Sequence, residues 1–390
     1  MGPLRAVKDA VEPMEETSTI KLSICIPTLN RGSFIGETLE SILLQATDEV
    51  EIVIVDGGST DSTQDVVRQY QQRFPNLRYV REYPEQRGLD SPSPSNGGFD
   101  RDCIRAVELA KGEYCWLFTD DDILKPGAIQ TVLEAIGQSY GLVIVNSEVR
   151  NADLSDVLEP RRLRMSGDRI YKITENQILL ADVGSYLSFV GGVVIKRQLW
   201  IARRKEKYVG TGFIHIGVVF QRPIPEDTLV IAEPLISIRY GNALYGNSGR
   251  YFEIWMFNWP QLIWSFPHYA DWAKRRVCLE EPWRRTRALL LLRAKGAFSL
   301  KQNSDWLEPR LRSGWSRLEA RLIARFPGCI LNLLAFIYCW TILRRSKLEL
   351  LDLVNSPFYF WNSVKQFLSR SKRNVSWINL HGVDIREERK

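Results

Sequence analysis

Three consecutive carboxylates, Asp120-Asp121-Asp122, follow the apolar run Tyr114-Cys115-Trp116-Leu117-Phe118 after the single residue Thr119 and are themselves followed by Ile123-Leu124-Lys125-Pro126. Like charges this close repel one another unless a cation neutralises them. Hard divalent cations take oxygen ligands and commonly bridge one or two carboxylates to phosphate oxygens, so the cluster predicts an Mg2+ or Mn2+ site facing a phosphorylated ligand. A helix N-terminus is the competing reading, because Asp caps helices and suits their positive ends. Three acids immediately after a buried strand favour the metal. A second carboxylate, Asp56, ends the run Glu51-Ile52-Val53-Ile54-Val55 and precedes Gly57-Gly58-Ser59-Thr60-Asp61. Placed at a strand end, it can accept bonds from a nucleoside's base or ribose. The Gly-Gly-Ser turn offers close backbone approach and free N–H groups. A hydride-transfer dinucleotide site needs GxGxxG after the first strand, and this chain has Pro27-Thr28-Leu29-Asn30-Arg31-Gly32 there, so that reading is weak.

These residues need elements to hold them. Lys21 to Ile26 reads as a β-branched strand stopped by Pro27, and Phe34 to Gln45 carries Leu39, Ile42 and Leu43 at helical spacing. Residues 51–55 form a second strand, about 62–74 a second helix, and Arg78 to Glu82 a third strand. This βαβα order predicts a parallel sheet with helices on its faces, whose carboxyl edge is where ligands bind. Glu82 to Gly98, rich in Pro and Gly, reads as a long loop, either a lid over the nucleotide or a surface excursion. Ala128 to Ser139 reads as an amphipathic helix, Leu142 to Asn146 as a strand, residues 147–170 as a hairpin or loop, and Leu229 to Arg239 as the last strand.

Pro27-Thr28-Leu29-Asn30-Arg31, then Val55-Asp56-Gly57-Gly58-Ser59-Thr60-Asp61, then Ala110-Lys111-Gly112-Glu113-Tyr114 running into the three acids, follow one another in an order and spacing that resembles the family 2 glycosyltransferases over residues 20–130. Gly98-Phe99-Asp100-Arg101-Asp102 with Tyr114 to Phe118 is similar to bacterial enzymes related to the abequosyltransferases of O-antigen assembly. The resemblance implies an α/β GT-A fold, Rossmann-like with a mostly parallel sheet flanked by helices. It also implies inverting transfer of a sugar from a nucleoside diphosphate to an acceptor. On the donor side it implies that Asp56 reads the nucleoside, Pro27 and Thr28 flank it, Asn30, Arg31, Gly58 and Ser59 complete the pocket, and Asp120 to Asp122 hold ribose and metal, Asp121 most of the metal contact. Many relatives have an Asn where this chain has Ile104, so either Asp102 substitutes or that contact is lost.

Inverting transfer needs a base that takes the acceptor hydroxyl proton. Relatives commonly carry a Glu-Asp pair on a helix before the last strand; the corresponding stretch, Gly212 to Phe220, holds His215 and no carboxylate. An imidazole titrates near neutral pH, which makes His215 the base candidate; a packed histidine on an apolar helix is the competing reading. Asp182 and the Glu226-Asp227 pair are reserves. Arg239, ending the last strand, can close on the diphosphate, because a guanidinium matches phosphate oxygens two at a time. Gly191 and Gly192 permit close approach of an acceptor, or else mark a tight core bend.

Charge and aromatic content divide the chain. Residues 1–245 hold 27 Lys+Arg against 34 Asp+Glu, whereas residues 246–390 hold 25 against 12 together with ten of the twelve Trp. An acidic catalytic body and a basic, Trp-rich region suggest an anionic partner, and the Trp density favours lipid headgroups over nucleic acid. The aromatic runs Tyr251 to Trp259 and Leu262 to Phe266, with nearby arginines, have the composition of an interfacial belt. Phe326 to Leu343 is free of charge over 18 residues, just short of a span and interrupted by Pro327, Gly328 and Asn332, and reads as embedded or re-entrant. Phe360, Trp361, Val364, Phe367 and Leu368 recur at helical spacing beside Lys365, Arg370, Lys372 and Arg373, as in a helix lying in the headgroup plane. A helical cap or an oligomer interface is the competing reading of the region. The six cysteines form no CxxC pair, which suits a reducing compartment, and the acidic N-terminus has no secretory character.

The expected organisation is a flexible tail over 1–18, a GT-A domain over 19–245 and a mainly helical membrane-associating region over 246–390. The expected setting is the cytoplasmic face of a bacterial inner membrane. Partners would be a nucleoside diphosphate sugar, a lipid-linked glycan acceptor and an anionic membrane surface, without nucleic acid; an oligomer is compatible. The alternatives are transfer to a polyprenyl phosphate, whose anion needs no base, and a non-catalytic sugar-binding or scaffold protein.

Overall fold

The computed structural model describes residues 20–82, 98–242, 248–342 and 346–359. The N-terminal tail, the loop expected as a lid and the amphipathic stretch from Phe360 lie outside them. Contacts divide the chain into two units, residues 1–239 with 262–277 and residues 240–261 with 278–390. The boundary drawn from composition at residue 245 is thus displaced, because residues 262–277 supply core to the first unit. Phe266 and Tyr269 set their rings 6.3 and 5.7 Å from Phe220, and the Gln177 amide donates to the His268 carbonyl at 2.8 Å. Charge marks where composition changes; burial decides which core a segment joins.

The first unit runs β1 (Leu22–Thr28), α1 (Ile35–Leu43), β2 (Val50–Asp56), α2 (Thr63–Gln71), β3 (Leu77–Arg81), α3 (Gly98–Leu109), β4 (Tyr114–Leu117), β5 (Ile123–Leu124), α4 (Ala128–Ile136), β6 (Leu142–Arg150), β7 (Val157–Glu159) and β8 (Arg169–Tyr171). It continues through α5 (Asn176–Val183), β9 (Val193–Lys196), α6 (Arg197–Ile201), α7 (Ile214–Phe220) and β10 (Thr228–Arg239). The sheet order is β3-β2-β1-β4-β9-β6-β10-β5, with β7 on β6 and β8 on β10. The pairs β1–β2, β2–β3, β1–β4 and β6–β10 are parallel, and β9 enters antiparallel to both β4 and β6. Every residue of β1, β2 and β4 is buried. That is why these strands read as continuous apolar runs, since a parallel strand is covered by helices on both faces. One core made from β1, β2, β4, α1 and α4, with Trp116 and Phe118 at its centre, holds the sheet.

The expected hairpin after residue 147 exists: β6 continues to Arg150 and β7 folds back on it. In the second unit the aromatic residues build a core. Phe252 stacks on Phe298 at 5.1 Å and Phe257 on Trp306 at 4.9 Å, with Trp283, Leu292 and Leu307 packed around them. The interfacial belt expected for Tyr251 to Phe266 is therefore corrected for Phe252, Met256, Phe257, Trp259 and Phe266, which are buried. Of the cations expected to flank that belt, Arg284 stacks over Trp283 at 4.6 Å and Arg275 over Trp264 at 5.6 Å, and Arg310 lies over Phe257 at 4.8 Å. Composition cannot distinguish a ring facing lipid from a ring inside its own core. No disulfide joins any of the six cysteines, and Cys25 and Cys115 are fully buried in β1 and β4.

Candidate active site

Strand β1 outruns its neighbour. Its pairing with β4 ends at Cys25 opposite Leu117, whereas its pairing with β2 continues to Thr28 opposite Asp56. Pro27 was expected to stop the strand, yet it lies inside it. The last bond on the β4 side is Phe118 N–H to the Cys25 carbonyl, and the next bond on the β2 side is Gly57 N–H to Thr28, so Pro27's missing donor faces the gap where β4 has departed. Since β2 and β3 lie on one side of β1 and β4 on the other, this gap is the switch point of the sheet, where a ligand enters an α/β fold.

Two loops line it. Asp56, fully buried, accepts from Gly58 N–H at 3.0 Å and Ser59 N–H at 2.7 Å on one oxygen and from the Tyr79 hydroxyl at 2.6 Å on the other. Its carboxylate orders the turn, and Gly58 sits at φ +100°, where a side chain is strained. This corrects two expectations: the Gly58 and Ser59 amides are committed to Asp56, and Asp56 has no surface to offer a nucleoside. The loop after β1 is stitched to this turn by Asn30 N–H to Ser59 Oγ at 2.8 Å, Thr60 N–H to Asn30 Oδ1 at 2.8 Å and Arg31 N–H to Thr63 Oγ1 at 2.8 Å. Asp102 of α3 lies directly under Gly57, where a Cβ would meet its Oδ2 at 2.8 Å.

The three acids separate. The Arg31 guanidinium reaches Asp120 at 3.5 Å and Asp121 at 3.7 Å, all three side chains being 13–15 % exposed. Burial and the neighbouring Asp121 push the Asp120 carboxyl up to about 7, although Arg31 and the Thr28 hydroxyl oppose the rise. Asp122 turns inward, accepts from the Thr119 hydroxyl and from Arg239 N–H at 2.8 Å, and is 2 % exposed. Burial raises its carboxyl as well. Asp122 as a metal ligand is thus corrected: it ties the end of β4 to the end of β10. Among the described residues no three acids, histidines or cysteines converge on one point. Asp120 and Asp121 nevertheless fit a divalent cation, since two adjacent, partly exposed carboxylates at the crevice supply the hard oxygen ligands such an ion takes.

Arg239 is corrected too. Its side chain donates to the Asp121 carbonyl at 3.0 Å, the Ala152 carbonyl at 2.8 Å and the Glu37 carboxylate, and it is buried. It clamps α1, the acidic turn and the β6–β7 connection, leaving no fork for a diphosphate. The base candidates fare no better. His215 is 1 % exposed, its Nε2 lies 2.8 Å from the Leu187 carbonyl, and its buried Nδ1 has no hydrogen-bond partner. Burial lowers its pKa to about 4, so the packed-histidine reading describes it. Glu226 pairs with Lys196 at 3.0 Å and Asp227 with Lys172 at 2.8 Å, just before Thr228, which opens β10 opposite Leu142, the first residue of β6. Asp182 holds Arg169 at 3.0 Å and the hydroxyl of Tyr171, which itself pairs with Thr228. All three reserves therefore lie toward the amino edge of β6 and β10, away from Asp120 and Asp121. Gly191 and Gly192 are buried, where a Cβ would meet Phe189 at 2.3 Å and Tyr186 at 2.9 Å, and the Gly191 carbonyl accepts from Trp116 at 2.7 Å. They form the tight core bend, not an acceptor surface.

The family model described as Glycosyl transferase family 2 matches residues 23–189, the segment from β1 to the bend before β9 that holds the crevice and its acids. Residues 23–189 are a family 2 glycosyltransferase domain. This glycosyltransferase is 26% identical over 243 residues to abequosyltransferase RfbV of Salmonella typhimurium, covering 59% of this chain and 69% of that protein. It is 24% identical over 225 residues to a GalNAc(5)-diNAcBac-PP-undecaprenol beta-1,3-glucosyltransferase of Campylobacter jejuni, covering 54% of this chain and 67% of the relative. In fold it is similar to S. aureus TarS 1-349 in complex with UDP, at a TM-score of 0.50 and 15% identity, over 89% of this chain and 92% of that one. The GT-A architecture is thereby established.

Two residues of the glycosyltransferase were given no role of their own from the sequence. Tyr79 completes the shell of Asp56 from β3, and nothing local marks it. Asp100, 1 % exposed, accepts from Gly210, Gly212 and Ile214 N–H at 2.7, 2.9 and 3.1 Å and so fixes the approach to α7. The two glycines at φ +90° and +76° that aim those amides are the signal that could have found it.

Proposed function

We propose that this enzyme moves a sugar from a nucleoside diphosphate to a hydroxyl of a lipid-linked glycan in the assembly of a surface polysaccharide, with inversion. The observation that carries the proposal is the Asp120–Asp121 pair beside Arg31 at the mouth of the β1–β4 crevice. Both relatives support it: one is named as an abequosyltransferase, and the other's name gives a PP-undecaprenol-linked glycan. Asp120 and Asp121 would hold Mn2+ or Mg2+, which when bound supplies positive charge to the leaving diphosphate. Arg31 brings a fixed cation to the same place. Asn30 and Ser59 hold the two flanking loops in register, and Asp56 positions the turn that the nucleoside meets. The acceptor oxygen bonds to the anomeric carbon as the bond to the diphosphate oxygen breaks, the diphosphate departs with the bonding electron pair, and the acceptor proton passes to water.

The fate of that proton favours keeping a second reading. His215 is sealed and Asp182, Glu226 and Asp227 lie toward the wrong edge, and an acceptor that is already an anion, such as a polyprenyl phosphate, requires no base. Supplying purified enzyme with both acceptor types separates the two.

Titration of the protein with a panel of nucleoside diphosphate sugars, with and without Mn2+, tests the donor site. One donor should bind with metal, and Asp121→Ala should weaken that binding by about tenfold or more, the scale of one strong charge contact. Binding that ignores both metal and Asp121 would end the proposal.

A further inference from the structure

In the second unit, the helices Gly314–Arg325 and Gly328–Thr341 meet at a bend of 90°. Their inner faces are occupied. Ala320, Ile323 and Ala324 are buried in the first, and in the second Asn332 donates to the Ala294 and Leu353 carbonyls at 3.1 and 2.9 Å while Cys339 is buried. Their outer faces are apolar and bare: Trp315 is 76% exposed, Leu318 46%, Leu322 58%, Leu334 57%, Ile337 50% and Trp340 47%. These fall at helical spacing on both arms, and Phe326 and Ile330, 43% and 46% exposed, add apolar surface at the bend. An apolar stripe of this extent marks an interaction surface.

We infer that this bent pair is a dock for an anionic phospholipid surface, lying in the plane of the interface without crossing it. The second arm has 14 residues, about 21 Å of helix against the ~30 Å of a hydrocarbon core, and one of its faces is committed to protein. No single described helix is long and apolar enough to cross a membrane. The first arm carries exposed Arg317, Arg321 and Arg325 on one flank of its stripe, and the second carries no charge between Gly328 and Thr341. Arg321 also pairs with Glu308, and the lone acid of that arm, Glu319, is held by the Thr286 hydroxyl. An apolar face edged by arginines and carrying Trp on both arms complements an acidic headgroup layer. The dock does not depend on which acceptor the enzyme uses.

Full-length protein in detergent-free buffer is to be sedimented with vesicles of phosphatidylcholine alone or mixed with phosphatidylglycerol. It should co-sediment with the mixed vesicles, less so as salt rises. Leu334→Glu with Ile337→Glu should cut binding by about tenfold or more, because charge replaces buried apolar area, and Arg317→Gln with Arg325→Gln should abolish the preference for the anionic lipid. Trp315→Ser, at the most exposed position, serves as a second variant. Each variant is checked for an unchanged melting temperature and unchanged donor binding, so a failed dock is distinguishable from a failed transferase. Wild-type protein that ignores both vesicles overturns the inference, as do face variants that bind like wild type. So does a wild-type dimer that the face variants make monomeric while none binds vesicles.

Discussion

Asp120, Asp121 and Asp122 are chemically identical and adjacent, yet they have two jobs. The first two remain near Arg31 at the crevice, and the third is sealed against Thr119 and Arg239. His215 makes the same point for a titratable ring. Its pKa is lowered from 6.5 to about 4 by burial, so between these values the unfolded chain binds a proton that the folded chain refuses. Stability then rises with pH across this window. The contribution is full above about 6.5 and is lost as pH falls toward 4, a change on the order of 3 kcal/mol. Urea denaturation at pH 7 and pH 4.5 should show His215→Gln losing less stability on acidification than wild type. Equal losses would mean that the ring is not sealed.

Among the elements, the turn after β2 is the piece whose backbone does most for the site. Asp56 pulls the Gly58 and Ser59 amides inward, and Gly58 reaches its φ of +100° without a Cβ to oppose it. Gly58→Ala should cost about 1–2 kcal/mol of stability and weaken donor binding, because the β1 loop hangs on Ser59. Calorimetry and donor titration check this together. A variant that melts lower and binds normally would separate the turn from the pocket.

The molecule as a whole has separate cores, the sheet core of the first unit and the aromatic clusters of the second. Chains with more than one core commonly depart from two-state unfolding. We expect two transitions in urea. Donor with Mn2+ should move only the first unit's transition, by about 2.7 kcal/mol at a hundredfold excess over Kd. A single transition, or one in which both parts shift, would show that the units unfold together.

The β-α order, the buried parallel strands, the carboxylates at their ends and the family are legible in the order of residues alone, because periodicity and motif spacing are properties of neighbouring residues. The sequence also carried the charge-free run that became the bare helix face. Which acids stay at the crevice is set by the folded chain, since Asp122 meets a backbone N–H from Arg239, 117 residues away. The same holds for His215, sealed by Leu187, for Arg239, spent on Glu37 and Ala152, and for rings that became core instead of belt. Each outcome depends on which distant group fills the space beside a side chain, and that is set by packing, not by the identity of the residue.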